Sequence, residues 1–513
     1  MRRFLIAPLS ARAALVLGAG AALAYFLALA MGLAGQGIGY DEAALSYDVT
    51  SPGMFSPASP FAVLKAWLCS LSSSGFTPVL WRLPGIILAS LSIFLLVVIC
   101  SAAMPAMCVF FAAAAITLGP SVYLALRFDA WQFPVPFFLR IAYCAFTARL
   151  LLGGENSRGW MCLSGVTAGQ LVIWDAGGFP ILLSLPLAAA LSPLPLSRAF
   201  ALAGAGFASG AVSSAFISIA AGVPVLPFAR MQTGHFYTGF DGFLAYTREF
   251  SGMGAGAFMR RRALGLATGF TSMELFLFAA LIAGVLALRR YGEDGERRCA
   301  LFFFVSYAAA WAGLFGGSGP DSAAGLRAVP FLYMAVASSL PAVMRGKKLK
   351  FAVLVALAAF ISWRVVIAAD TVAAAARGAF SSYFNPQYDA LGRLASERKD
   401  SVFIFSNWGA GAQAARHGAA AFEPFWRYAG PDDIKRILSS SPGRRYAYVV
   451  LCKRHNRLSV EDTVRILDDA KAAGWLKPVP PEPEFLALTS FYIRKYEIGA
   501  GPHIDKRGVL IHN

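Results

Sequence analysis

Residues 11–49 read ARAALVLGAGAALAYFLALAMGLAGQGIGYDEAALSYDV. The uncharged apolar run from Ala13 to Ala34 is long enough to cross the hydrocarbon core of a bilayer, for which about 20 residues suffice. Arg2, Arg3 and Arg12 precede it, so the preference of Lys and Arg for the cytoplasmic side places the N-terminus inside. The adjacent carboxylates Asp41 and Glu42 then fall at the opposite membrane face. Neighbouring acids there are costly unless they pair with cations or take part in chemistry, which makes them the first functional candidates. The start of the chain has the look of a secretory signal, but its apolar stretch exceeds an ordinary signal core, and a retained signal anchor is expected.

Composition extends this reading to the whole chain. Of 513 residues, 57% are hydrophobic and 14% charged, against about 25% charged in soluble domains, and the mean hydropathy is +0.59. A polytopic membrane protein follows. The net charge of +17 needs no nucleic-acid partner, because the basic residues cluster between apolar runs. Seven cysteines lie mostly inside those runs without metal or disulfide spacing, and read as small buried hydrophobes.

The spanning rule and the Lys/Arg distribution predict about eleven membrane helices, near 13–34, 82–101, 104–123, 134–152, 160–175, 178–194, 199–222, 267–288, 299–316, 328–344 and 351–370. Residues 1–370 form this helical domain. Arg158, Arg198, Arg289, Arg290, Arg297, Arg298, Arg345, Lys347, Lys348 and Lys350 occupy short inside connections. Two outside loops are longer, 35–81 and 223–266. The first carries FAVLKAWLCSL, an amphipathic stretch expected in the interface with Lys65 and Trp67 near the headgroups. The second carries His235, Tyr237 and the triplet Arg260, Arg261 and Arg262. Arginines on the outside run against the charge rule. Either the triplet meets anionic lipid or substrate phosphate, or the topology differs there.

From residue 371 the pattern changes. Helix-period polar segments (Tyr388 to Arg398, Pro431 to Ser439, Val460 to Ala473) alternate with the apolar runs SVFIF, YAYVVLC and FLALTSFYI. Residues 371–513 are therefore predicted to be a small α/β domain, outside the membrane because the helix count is odd. The overall class is mainly α, with this domain appended.

Several charges fall at the outer boundary on this topology: Asp41 and Glu42, Arg82 opening helix two, Arg127 and Asp129 between helices three and four, Asp175 ending helix five, and Arg327 opening helix ten. They either gather into a pocket for an anionic, partly apolar substrate or form structural ion pairs between helix ends. The sequence leaves both readings open.

The order of GIGYDEAALSYDV, WRLPGIILASLSIFLLVVIC, GPSVYLALRFDAWQFPVPFFLRIAYCAFTARLL, LSGVTAGQLVIWDAGGFPILLSLPLAAAL and GLRAVPFLYMAVA resembles the GT-C membrane glycosyltransferases. Within them it is similar to the protein O-mannosyltransferase and lipid A aminoarabinose transferase branch, over about residues 10–345. The resemblance implies a sugar donor carried on a polyprenyl phosphate and an extracytoplasmic glycan, lipid or protein acceptor. It implies Asp41, with Glu42 as the alternative, as the catalytic carboxylate of the first outside loop, Asp129 as the second acidic position and Arg82 as the basic residue of helix two. The chain departs from the branch in its RFDAW segment, and in Asp175 where relatives commonly show a lysine.

The residue types suit that chemistry on their own. Sugar transfer from a polyprenyl phosphate needs a base for the acceptor proton and cations for the departing phosphate. Asp41 serves as the first. Arg82, Arg127, Arg260, Arg261 and Arg327 are candidates for the second, since guanidinium forks match phosphate oxygens. A single in-line displacement, favoured here over a covalent route, inverts the anomeric centre. Asp41 and Asp129 also suit a divalent ion, although no metal-type spacing supports one and the chain has five histidines. His235 and Tyr237 are candidate substrate-loop residues. The competing reading is a transporter or flippase of a lipid-linked glycan, which would place ionisable groups near the midplane at broken helices. The expected location is the inner (plasma) membrane, with active site and α/β domain facing out.

Overall fold

The computed structural model describes residues 8–33, 59–71, 77–127, 133–153, 156–175, 179–223, 225, 270–316, 322–376, 387–405, 411, 414–415, 417–422, 437–438, 441–452 and 460–499. The chain divides into two compact units, a helical one reaching Ala379 and a second carrying the chain from Phe380 onward.

The helical unit contains α1 (Ala11–Ala30), α2 (Pro60–Ser70), α3 (Pro78–Ser101), α4 (Ala106–Thr117), α5 (Pro120–Arg127), α6 (Pro134–Leu151), α7 (Ser157–Trp174), α8 (Phe179–Leu191), α9 (Leu196–Ala220), α10 (Phe270–Tyr291), α11 (Asp294–Gly316), α12 (Ser322–Arg345) and α13 (Lys347–Ala376). Among the described residues, six helices are long and apolar enough to cross a membrane, and the protein is an integral membrane protein. A helix overlaps each predicted apolar segment, with one correction. The expected helix over 104–123 is two helices, because Pro120 offers no N–H and disfavours helical geometry at Gly119. Leu118 closes α4 with its N–H on the carbonyls of Ala114 and Ile116.

Two ends of the bundle are distinguished by their polar contacts. At one, the Leu9 N–H donates to the Ser101 carbonyl at 3.1 Å, Arg149 donates to Ala102 at 2.8 Å and Arg298 reaches Leu191 at 3.4 Å. Arg345 there binds the Tyr291 carbonyl at 2.6 Å, Glu293 at 3.0 Å and Glu296. These arginines lie over carbonyl ends of helices, where a cation is favoured. Arg298 and Arg345 are among the residues that the charge rule assigns to the inside.

Small residues allow the closest helix approach. Gly165 and Gly169 on α7 meet Gly206 and Gly210 on α9; a Cβ added at Gly169 would run into the Phe207 carbonyl, and one at Gly210 into the Val166 carbonyl. Without a strong hydrophobic force between helices in lipid, such backbone contact supplies much of the attraction. The central helix is α12, buried along most of its length. Its Phe331 ring meets Tyr143 of α6 edge-on, 6.4 Å between centroids.

In the second unit, β1 (Ser401–Phe405), β2 (Ala421–Phe422), β3 (Tyr446–Cys452), β4 (Leu476–Val479) and β5 (Phe491–Ile498) form one sheet in the order β2-β1-β3-β5-β4. The β1 strand pairs parallel with β2 and β3, while β5 pairs antiparallel with β3 and β4. Alternation along β1 and β3 sends Phe403, Phe405, Tyr448 and Val450 to one core, with α14 (Gln387–Glu397). Val402, Ile404, Ala447 and Val449 face the other, with α15 (Val460–Ala472). The predicted run FLALTSFYI is divided: its first residues end α16 (Pro483–Leu486) and its last begin β5. One polar cluster sits on the first face. Glu482 accepts from the Tyr448 hydroxyl at 2.7 Å and from the Lys495 ammonium at 2.6 Å. Burial raises the Tyr448 pKa, and its hydrogen bond to Glu482 adds to that. For Glu482 burial acts upward too, but the bonds from Lys495 and Tyr448 outweigh it and hold the carboxyl below its usual range.

Two outcomes follow. Gly210→Leu should cost about 1–3 kcal/mol by overpacking, read as a lower unfolding temperature in mild detergent, whereas Gly204→Leu, where a Cβ meets nothing within 4 Å, should be tolerated. Because the folded-state pKa of Glu482 is depressed, its contribution is present above the ordinary carboxylate value of about 4.3 and is lost as pH falls through the lower folded value. Hydrogen exchange of β3 and β5 should accelerate over that acid interval, and Glu482→Gln should flatten the dependence.

Candidate functional site

Of the residues singled out by sequence, Asp41, Glu42, Asp129, Arg260, Arg261, Arg262, His235 and Tyr237 lie outside the described residues. Arg327 lies six residues into α12 rather than at its opening, since the helix begins at Ser322. Arg82, Arg127 and Asp175 can be placed in full.

Arg82 does not open its helix. Pro78 supplies a favourable first position for α3, so Arg82 falls in the second turn, where it is fully buried. Its neighbour Trp81 is equally buried. The Lys65 ammonium lies 4.2 Å from the Trp81 ring centroid and 5.1 Å from that of Phe61. This corrects the expectation that Lys65 reaches toward headgroups: α2 turns it inward and leaves Trp67 exposed. The faces of Phe61 and Trp81 attract an ammonium through their quadrupoles, which the amphipathic spacing of FAVLKAWLCSL cannot distinguish from snorkelling.

An apolar groove of about 400 Å³ runs between the same two helices, lined by Phe61, Leu64 and Leu68 of α2 and by Leu80, Leu83, Pro84, Ile87 and Leu88 of α3. It carries no polar side chain. A hydrocarbon chain suits it, and the two helices that wall it also bear the cations Lys65 and Arg82.

At the end of the bundle opposite the Arg345 cluster, Arg127 ends α5. Its Nη1 donates to the Leu29 carbonyl and, at 3.2 Å, to the Tyr123 hydroxyl; its Nη2 donates to the Met31 carbonyl at 2.6 Å. The Tyr123 hydroxyl donates to the Ala28 carbonyl at 3.0 Å. Arg127 is thus engaged with the end of α1, the helix that leads to Asp41. At this same end Asp175, just past α7, forms an ion pair with Arg140 of α6. Both side chains are 2% exposed. Of the two readings open for Asp175, the structural pair between helices is the one found.

Two cations escaped the sequence reading. Arg140 lies within PVPFFLRIAYC, in the first half of α6. Arg364, buried within α13, donates to the Tyr333 hydroxyl of α12 at 3.1 Å and lies over the Phe360 ring at 5.2 Å. Both stand inside apolar runs, where a single arginine scarcely alters hydropathy; depth alone marks them. Among the described cysteines, Cys69, Cys100, Cys108, Cys144 and Cys299 are buried and Cys162 is partly so. Among the described residues no group of three or more His, Cys, Asp or Glu could hold a metal ion.

The helical unit and the small mixed sheet belong to a fold already seen in a solved structure. In particular, the chain is similar to ArnT from Cupriavidus metallidurans, solved by crystallography in the apo state, at 11% identity over 94% of this chain and 97% of that one, with a TM-score of 0.57. It is also similar to the arabinofuranosyltransferase AftD from Mycobacteria, solved by single-particle cryo-EM, at 15% identity over 97% of this chain and 42% of that one, with a TM-score of 0.48. At such identities the likeness to ArnT establishes the fold, and that to AftD carries no argument. No family model and no curated protein sequence matches the chain.

Asp175→Ala should destabilise the protein by about 3–5 kcal/mol, the usual effect of removing one partner of a buried ion pair. The double variant Arg140→Met with Asp175→Leu should recover most of that loss. Thermal unfolding of the purified protein in detergent checks both, and equal losses in the single and double variants would deny the pair its role.

Proposed function

We propose that the protein is a membrane glycosyltransferase that moves a sugar from a polyprenyl phosphate to an extracytoplasmic acceptor, a glycan, lipid or protein. The observation that carries this reading is the fold shared with ArnT over 94% of the chain, beside the resemblance of the sequence to the branch that includes the lipid A aminoarabinose transferases. The groove between α2 and α3 supports it, because an apolar channel walled by helices that bear Lys65 and Arg82 suits an amphiphile with an anionic head.

In this reading Asp41, with Glu42 as its alternative, takes the proton of an acceptor hydroxyl as that oxygen attacks the anomeric carbon. The bond from that carbon to the phosphate oxygen breaks, and the polyprenyl phosphate departs with the electron pair. The anomeric centre is inverted. Arg82 stabilises the leaving phosphate, and Lys65 adds positive charge on the helix beside it. Arg260, Arg261 and Arg327 remain candidates for the same charge, with His235 and Tyr237 on the substrate side and Asp129 as the second acid. A divalent ion would fall to Asp41 and Asp129, and no step requires it. The protein resides in the inner (plasma) membrane, with the α/β domain that follows α13 on the extracytoplasmic side.

Asp41→Asn should lower sugar transfer by about 10²–10⁴-fold, the usual range for loss of a general base, with unchanged membrane insertion and unfolding temperature. Retained turnover in that variant would remove Asp41 from its role.

A further inference from the structure

We infer that Arg127 is a positioning residue rather than a phosphate ligand: it fixes the end of α1, and with it the chain that leads to the catalytic carboxylate. The inference rests on the glycosyltransferase reading for its effect on turnover but not for the contact itself.

A helix ends with carbonyls that have no partner along the helix, and inside an apolar bundle water cannot serve them. In α1 the last turn is served by residues about a hundred positions away. The two arms of the Arg127 fork reach the carbonyls of Leu29 and Met31, and Tyr123 reaches that of Ala28. The guanidinium also lies 5.9 Å from the Tyr123 ring centroid, so the two side chains of α5 brace one another. A permanent cation at a helix C-terminus is favoured by the helix dipole, and a planar fork binds two acceptors at once where an ammonium makes point contacts. Immediately beyond, Gly32 has φ +67, a left-handed turn that redirects the chain. The end of α1, from which the sequence continues toward Asp41, is thus held by α5. A donor group already committed to two backbone carbonyls is poorly placed to follow a phosphate that arrives and departs. An effect on turnover would instead come through orientation, and misplacing a catalytic group by about 1 Å costs on the order of 100-fold.

The test uses the full-length protein in detergent or nanodiscs with the variants Arg127→Met, Arg127→Lys and Tyr123→Phe. Hydrogen exchange read by mass spectrometry over residues 25–33 reports the clamp without any substrate. Arg127→Met should accelerate exchange there while α3 and α6 stay protected. With a polyprenyl-phosphate sugar as donor, kcat should fall by about 30–100-fold and KM for the donor should stay within about twofold. Arg127→Lys should recover part of the loss, and Tyr123→Phe should show the same pattern at a few-fold. Unchanged exchange over residues 25–33 overturns the proposal. So does a raised donor KM with kcat preserved, which would make Arg127 a phosphate ligand, or a global loss of stability with normal kcat per folded molecule. If Arg127→Met does not fold, the lysine and Tyr123→Phe variants carry the same readouts. Absence of transfer by the unaltered protein counts against the glycosyltransferase reading, and exchange still decides the clamp.

Discussion

A guanidinium or ammonium inside a bilayer-spanning bundle must be met by oxygen atoms or aromatic faces, because neither water nor lipid tails will serve it. That requirement organises the helical unit. Arg127 is met by the carbonyl end of α1, Arg140 by Asp175, Arg364 by the Tyr333 hydroxyl and the Phe360 ring, and Lys65 by Trp81 and Phe61. Each contact joins different helices or, for Lys65 and Arg364, combines a ring on its own helix with an aromatic residue on the next. The cations therefore fix how helices are set against one another, while α7 and α9 close through glycines that admit backbone against backbone.

Helices were readable where composition alone decides them. Long apolar runs have no other stable form in lipid, and α1, α3, α6, α9 and α13 lie where those runs predict. The break between α4 and α5 was hidden because hydropathy continues across Leu118, Gly119 and Pro120, although Gly-Pro was a local signal for it. In the sheet domain, β1 and β3 are five- and seven-residue apolar runs and could be read. The two-residue β2 and four-residue β4 are too short to carry a period, and exist because β1 and β5 offer them an edge.

The candidate site was legible in part, for a different reason. Residue type and an approximate depth can be read from sequence, which is why Arg82, Arg127 and Asp175 stand out as unusual charges. Partners cannot be read that way. Asp175 reads equally well as a pocket carboxylate or as half of an ion pair, and its partner lies 35 positions back in the apolar first half of another helix. Lys65 follows the spacing of an interfacial lysine, yet faces inward because Trp81, on the next helix, offers its ring. Arg364 bears on the choice between enzyme and transporter. A buried arginine inside α13 means that charge is not confined to the helix ends, so the placement of charge separates the two less sharply than the sequence implied.

The central claim is that a lipid-linked sugar is cleaved from its phosphate by this protein rather than carried intact across the membrane. Its most direct measurement is the incubation of the purified protein with a panel of polyprenyl-phosphate sugars and acceptor extracts, scoring release of the polyprenyl phosphate. Release from at least one donor, dependent on added acceptor, is the predicted result. Movement of intact donor between the leaflets of a proteoliposome, with no phosphate released from any member of the panel, would contradict it.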